Sequence, residues 1–193
     1  MRLPWPIREA RLARLARLAG EGDRSAVVAL FRALHPDVAR FVGRRVASRA
    51  DAEDAVATTF HRLLESLGRL DGTRGSVTGY TLAVARSVLS DGGRARREAF
   101  RLEDAPEPED PRVDALGRLL QGEAEAQLRR SLAALPAGTR ELLALRFADG
   151  LRWSEIATVL GDSEGALRQR SSRALRELRE SLREPQGKEL AHE

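Results

Sequence analysis

The sequence predicts an all-α protein of two small helical domains joined by an acidic, proline-rich linker. Three observations predict it. Apolar residues recur at three- and four-residue spacing along most of the chain, with few strand-like alternations. The segment 103–114, EDAPEPEDPRVD, holds three prolines and six acids and cannot bury enough apolar surface to fold alone. Between Leu128 and Leu182, two short apolar-periodic segments, Trp153–Leu160 and Ser163–Leu182, are split by the turn dipeptide Gly161-Asp162. That is the sequence form of a helix-turn-helix, whose second helix suits a DNA major groove.

Residues 1–22 read as an N-terminal helical extension. Arg8, Arg11, Arg14 and Arg17 interrupt its apolar residues, so it holds neither a signal-peptide core nor a membrane span. A short exposed helix is the expectation, ahead of an amphipathic membrane-surface segment over Ile7–Leu18, with packing or partner binding both open. The first domain is expected over 23–100. Pro36 is expected to break or kink its first part between Ala26–Leu34 and Asp37–Val46. A helix over Asp51–Leu67 starts with Asp51, Glu53 and Asp54, acids that a helix dipole favours there. Gly68–Gly75 is a loop, with Asp71-Gly72 and Arg74-Gly75 in it. A helix follows over Ser76–Asp91, its continuation past Gly92-Gly93 into Arg94–Phe100 left open. The flexible linker spans 101–122. In the second domain, 123–183, Pro136 and Gly138 separate helices at Ala124–Leu135 and Arg140–Phe147, and the helix-turn-helix follows. Residues 184–193 form a tail.

The last helix divides by face. Leu167, Ser171, Ala174, Leu175, Leu178 and Leu182 form one apolar stripe, which Ser171 leaves imperfect. Arg168, Gln169, Ser172, Arg173, Arg176 and Arg179 fall outside it. Arg donates twice to guanine, Gln pairs with adenine, and both reach phosphates. Asp162 or Ser163 can cap the helix start. The plain alternative is a solvated Arg-rich helix of a bundle; the turn, the short preceding helix and the basic outer face together favour DNA.

Charge supports a polyanionic partner. The formal net charge is only +4, but Arg101–Gln127 holds eight acids and three basic residues, a balance of −5 that leaves +9 on the rest. Aromatic residues are 4% of the chain, so the cores must be built mainly from Leu, Val and Ala. With no Cys, disulfides and thiolate metal sites are excluded, which fits a cytoplasmic protein.

Enzyme readings fail. Asp51, Glu53 and Asp54 resemble a carboxylate cluster but fit a helix start. His35, His61 and His192 have no mutual ligand spacing, so no metal or other cofactor is expected. Gly72-Thr73-Arg74-Gly75 lacks the Lys-Ser/Thr ending of a phosphate loop. Trp5 and Trp153 read as packing residues, Trp153 bracing the DNA-binding domain.

The ordered series Leu135-Pro136, Arg140-Glu141, Leu145-Arg146-Phe147, Asp149-Gly150-Leu151, Glu155-Ile156-Ala157, Leu160-Gly161, Glu164-Gly165, Arg168, Arg170 and Arg173-Ala174-Leu175 resembles region four of bacterial RNA polymerase sigma factors of the extracytoplasmic-function group. Leu30-Phe31, Pro36, Val38, Arg40-Phe41, Arg44-Arg45, Asp51-Ala52-Glu53-Asp54, Phe60, Arg74-Gly75-Ser76, Ala85-Arg86 and Asp91 resemble region two. The resemblance implies a promoter-recognition subunit that binds core RNA polymerase and promoter DNA, with an anti-sigma factor as a possible partner.

Carried over by position, the resemblance implies that Arg44, Asp54, Thr58, His61, Arg62 and Leu64 face the coiled coil of the polymerase's largest subunit, while region four meets the polymerase flap. It implies that the minus-ten strand is held by Leu67, Gly68, Arg69, Leu70, Asp71, Arg74, Ser76, Tyr80, Arg86, Ser87, Arg94 and Arg97. The minus-thirty-five duplex falls to Arg168, Gln169, Ser172, Arg173 and Arg176, with Arg170 either supporting the helix or touching phosphate. The chain departs from the family pattern at Ala57-Thr58, usually Gln-Glu; at Val77 and Tyr80, usually Phe and Trp; at Ser87, usually Asn; at Arg152, usually a small polar cap; and at Ala166, usually Thr. Two other readings stay open: a stand-alone helix-turn-helix regulator, and a sigma-like decoy without activity.

Overall fold

The computed structural model describes residues 5–69, 76–101 and 123–183. Among them every regular element is helical. The N-terminal half comprises α1 (Trp5–Gly20), α2 (Arg24–Gly43), α3 (Arg49–Ser66), a 3₁₀ turn at Leu67–Arg69 and α4 (Val77–Arg101). The C-terminal half comprises α5 (Glu123–Ala134), α6 (Ala137–Leu143), a π-helical turn at Ala144–Ala148, α7 (Trp153–Leu160) and α8 (Glu164–Arg183). The linker, apart from Arg101 at the end of α4, and the tail lie outside the described residues.

Local chemistry starts and ends these helices. The Asp23 carboxylate accepts from the amides of Ser25 and Ala26 to cap α2. These bonds and one from the Ser25 hydroxyl, the largest contributor, hold its pKa below the ordinary carboxylate value. Ser48 caps α3. The Ser76 hydroxyl accepts from the Gly79 amide at the start of α4. Two expectations need correction here. Pro36 does not break the chain in two: α2 runs through it. The proline is exposed, as is Arg32, whose carbonyl loses its amide partner and can turn to water. The helix ends at Gly43, so Val46 lies beyond it.

The second correction concerns α1, which is no exposed extension. Leu12, Ala16 and Ala19 are buried in the same core as Leu30, Leu34, Val38 and Phe41 of α2. A polar hinge adds to this. The Glu9 carboxylate accepts from the Val77 amide at 2.9 Å and from the Thr78 hydroxyl, capping α4 from another helix. Arg8 donates to Thr78 and pairs with Asp37 of α2. The arginines that seemed to interrupt an apolar segment are the polar side of an amphipathic helix whose small and Leu residues form the seam.

The C-terminal half has its own small core, Leu132, Leu135, Leu143, Ala174 and Leu178. Arg140 binds the carbonyls of Ala133 and Leu135 at the end of α5. The two halves then share a core. Val77, Leu82 and Ala85 of α4 belong to one buried cluster with Leu142, Leu145, Leu151, Ile156, Val159 and Leu167. Gly79 permits this approach: a Cβ there would lie 3.1 Å from the Glu155 backbone and 3.2 Å from the Thr158 Cβ.

Candidate nucleic-acid and polymerase interface

The helix-turn-helix forms where the sequence predicts it. Gly161 ends α7 in the left-handed conformation, φ 73°, which glycine adopts without strain. Asp162 pairs with Arg170 at 3.3 Å, and the Ser163 hydroxyl accepts from the Ala166 amide. Arg170 is therefore held in bracing the turn. At the start of α7, Arg152 replaces a capping side chain, yet half of a capping box survives: the buried Glu155 carboxylate accepts from the Arg152 amide at 2.7 Å.

Along α8, Leu167, Ser171, Ala174 and Leu178 are buried and Leu175 is half-buried. Leu182 is 41% exposed, so the stripe stops one turn sooner than expected. Arg168, Gln169, Ser172, Arg173 and Arg176 are all exposed on the other side. Arg168 is braced before any ligand arrives. It pairs with Glu164 at 2.8 Å, and its guanidinium lies 5.4 Å from the centre of the Trp153 ring. Arg146 approaches the same ring at 5.2 Å and donates to the Leu151 carbonyl. Arg146, Arg152, Trp153 and Arg168 thus line one basic groove beside the recognition helix. Arg146 and Arg152 were not picked out as site residues from sequence, because the π-helical turn and the irregular stretch 149–152 that gather them around Trp153 carry no regular sequence period.

Of the residues assigned to the minus-ten strand, few present a free side chain. Leu67 is buried in the core, and Ser76 is buried and committed to capping. Tyr80 is half-buried against the core. Gly68 and Ser87 are exposed. Arg86 makes a two-pronged ion pair with Glu141 of α6, 2.6 and 3.0 Å, which raises the Arg86 pKa. Leu70, Asp71 and Arg74 lie outside the described residues, as do the side chains of Arg69, Arg94 and Arg97.

On α3, Asp54, Thr58, His61 and Leu64 recur at helical spacing and are exposed. His61 lies 3.6 Å from Glu65, and Arg62 pairs with Asp91 of α4 at 2.9 Å. Next to this face α2 exposes an apolar surface, Val28 (47%) and Phe31 (44%). The Phe31 ring packs 4.5 Å from Phe60 and 5.1 Å from His35. Arg44 points elsewhere, to Asp149 at 3.1 Å. Its neighbour Arg45 is buried, pairs with the other oxygen of Asp149 at 2.7 Å, donates to the Phe41 carbonyl and covers the Phe41 ring at 3.7 Å. Among the described residues no cluster of potential metal ligands occurs, and no helix is long and apolar enough to cross a membrane.

Comparison with known proteins follows the same division. The profile of Sigma-70 region 2 matches residues 30–99, and that of Sigma-70, region 4 matches residues 125–178. The chain is 31% identical over 176 residues to the ECF RNA polymerase sigma factor BldN of Streptomyces coelicolor, covering 88% of this chain and 65% of that protein. It is 31% identical over 175 residues to the ECF sigma factor ShbA of Streptomyces griseus, covering 86% and 92%. In fold it is similar to CnrH in complex with the cytosolic domain of CnrY, at TM-score 0.61 and 23% identity, over 89% of this chain and 97% of that one. The Bartonella quintana sigma factor RpoE, solved with the anti-sigma factor NepR, matches at TM-score 0.53 and 19% identity, over 79% and 93%.

Proposed function

The chain belongs to the extracytoplasmic-function group of the sigma-70 family, and from that premise we propose how its residues divide the work of directing transcription to a promoter. The observation that carries the reading is the exposed polar face of α8. Its Arg168, Gln169, Ser172, Arg173 and Arg176 stand opposite the buried side that anchors the helix. That face reads the upstream duplex element in the major groove, Gln169 and Arg173 supplying base-edge contacts. Arg146, Arg152 and Arg168 add positive charge along the neighbouring groove, where they meet phosphates.

The minus-ten strand is held by the segment 67–76 and the exposed side of α4. Capture of an unstacked base there stabilises the open strand, while Ser87 and the arginines Arg86, Arg94 and Arg97 meet bases or neutralise phosphate. The exposed face of α3, with Val28 and Phe31 beside it, packs on a polymerase helix pair; its apolar part supplies binding energy, and Asp54 and Arg62 supply orientation. All of this is binding: recruitment and strand separation proceed without covalent chemistry and without a cofactor, in the cytoplasm where polymerase works. An anti-sigma factor, the kind of partner present in the solved Bartonella quintana RpoE structure, would compete for the same surfaces.

The test is run-off transcription on a genomic DNA library with core bacterial RNA polymerase, with and without the chain. The expected result is a set of start sites that depend on the chain and share two upstream elements. Tight binding to core polymerase without new start sites would make it a decoy. Duplex binding with neither initiation nor core binding would make it a stand-alone helix-turn-helix regulator.

A further inference from the structure

The segment 67–76 is assigned above to the minus-ten strand, yet both of its end residues are turned inward. Leu67 is 5% exposed and Ser76 is 6% exposed. Neither side chain is open to a base, so what these two residues contribute is position. One helix sets that position at both ends, and it is α1.

At the entry, Gly20 closes α1 against the backbone. A Cβ on Gly20 would lie 3.2 Å from the Leu67 carbonyl oxygen and 3.5 Å from the Gly68 nitrogen. At the exit, Glu9 spans the first turn of α4. One carboxylate oxygen accepts from the Val77 amide at 2.9 Å, and the other accepts from the Thr78 hydroxyl. The Val77 amide is one of the donors that a helix start leaves without a partner, and the Ser76 hydroxyl takes a second one, from Gly79. Arg8 completes the exit. It donates to the Thr78 hydroxyl at 3.2 Å and pairs with Asp37 of α2, so Thr78 is held from two sides. Glu9 and Gly20 are about three turns apart, a fixed rod of about 16 Å along the axis of α1.

A segment pinned at both ends has less freedom to lose when it closes on an unstacked base, and preorganisation of that kind raises both affinity and selectivity. Without Glu9 the Val77 amide has no acceptor in the protein, the first turn of α4 frays, and the segment gains slack.

We propose that Glu9 and Gly20 are positioning residues for minus-ten recognition: α1 sets the span between the two ends of the strand-holding segment, Glu9 by fixing the start of α4 and Gly20 by admitting the Leu67 backbone. This rests on the functional reading above, in which that segment holds the strand.

The test uses the full chain with core bacterial RNA polymerase, at saturating chain, in run-off transcription from promoter libraries varied at the minus-ten or at the minus-thirty-five element. Glu9→Ala is expected to lower initiation roughly 2- to 30-fold at the best minus-ten sequences, the range for a residue that acts through intervening structure. It should flatten the preference among minus-ten sequences and leave the minus-thirty-five preference unchanged. Gly20→Ala, whose methyl presses on the Leu67 carbonyl, should act in the same direction at the lower end of that range. Glu9→Gln restores most of the preference, because its amide oxygen still accepts from Val77 and its NH2 can donate to Thr78. Leu12→Ala is the control for stability alone: it weakens the same helix without touching either end. Circular dichroism confirms that each variant is folded at the assay temperature.

A folded Glu9→Ala chain with the wild-type minus-ten preference overturns the proposal, and a folded Gly20→Ala chain with it overturns the part assigned to Gly20. Equal flattening by Leu12→Ala also overturns it, since lost stability would then account for the effect. If the wild-type chain itself initiates nowhere, the functional reading falls first and the positioning role falls with it.

Discussion

Leu12→Ala tests whether α1 is a wall of the core or an appendage. Leu12 is 1% exposed and sits among Ala16, Leu30 and Leu34. The substitution removes three carbons. At about 0.8 kcal/mol per buried methylene, the transfer contribution is about 2.4 kcal/mol. The space left behind adds a cavity penalty, because α2 is held in place from its other side by α3 and α4; buried Leu→Ala changes cost roughly 2.7–5 kcal/mol in total. We expect about 3 kcal/mol and, for a chain of this length, a fall of roughly 6–12 °C in Tm. Arg11→Ala, at an exposed position of the same helix, is the control and should change stability by less than about 0.5 kcal/mol. Urea unfolding followed by circular dichroism reads both. A loss under 1 kcal/mol for Leu12→Ala would refute the reasoning, since it would mean that α1 detaches at little cost and that its burial contributes nothing to the bundle.

Other expectations follow from single contacts. Glu9→Ala leaves the Val77 amide and the Thr78 hydroxyl without their acceptor and should cost about 2 kcal/mol in the same unfolding assay. Gln169→Ala and Arg173→Ala should each weaken initiation roughly 5- to 150-fold, the equivalent of 1–3 kcal/mol, at promoters with an intact upstream element. They should leave the preference among minus-ten sequences unchanged in library run-off transcription. Arg170→Ala removes a half-exposed pair with Asp162; it should cost less than about 1 kcal/mol and leave the promoter code as it was. The Asp23 cap gives a pH signature. Its folded pKa is depressed, so its contribution is present above the ordinary value of 3.8 and is lost as pH falls through the lower folded value. Asp23→Asn keeps a cap that does not titrate, so its Tm should fall less than the wild type's over that acid range; parallel falls would remove the assigned role.

What the sequence made legible was local. Gly161 with Ser163 marks a turn and a cap within four residues, and the side-chain period of α8 follows from helical geometry alone. The sidedness of that helix, and hence which of its residues stay exposed, was therefore readable. Pro36 misled as a helix break because a local rule was applied without context: an exposed proline removes a bond that water can replace, and burial of Leu30, Leu34, Val38 and Phe41 keeps the chain helical on both sides of it. The burial of α1 was unreadable for a similar reason. A seam of Leu12, Ala16 and Ala19 is weakly apolar by itself, and only α2 lying against it makes it core.

The ion pairs between the halves lie at the far end of that scale. Arg45 and Asp149 are 104 residues apart, and Arg86 and Glu141 are 55 apart. An arginine and an acid so far apart in the chain carry no mark that they will meet, since each alone reads as a solvated surface charge. Their pairing depends on Gly79 allowing α4 and α7 to touch, and on the π-helical turn at Ala144–Ala148 carrying Asp149 towards Arg45. Side chains assigned separately to DNA and to polymerase are thereby tied to the same tertiary contact.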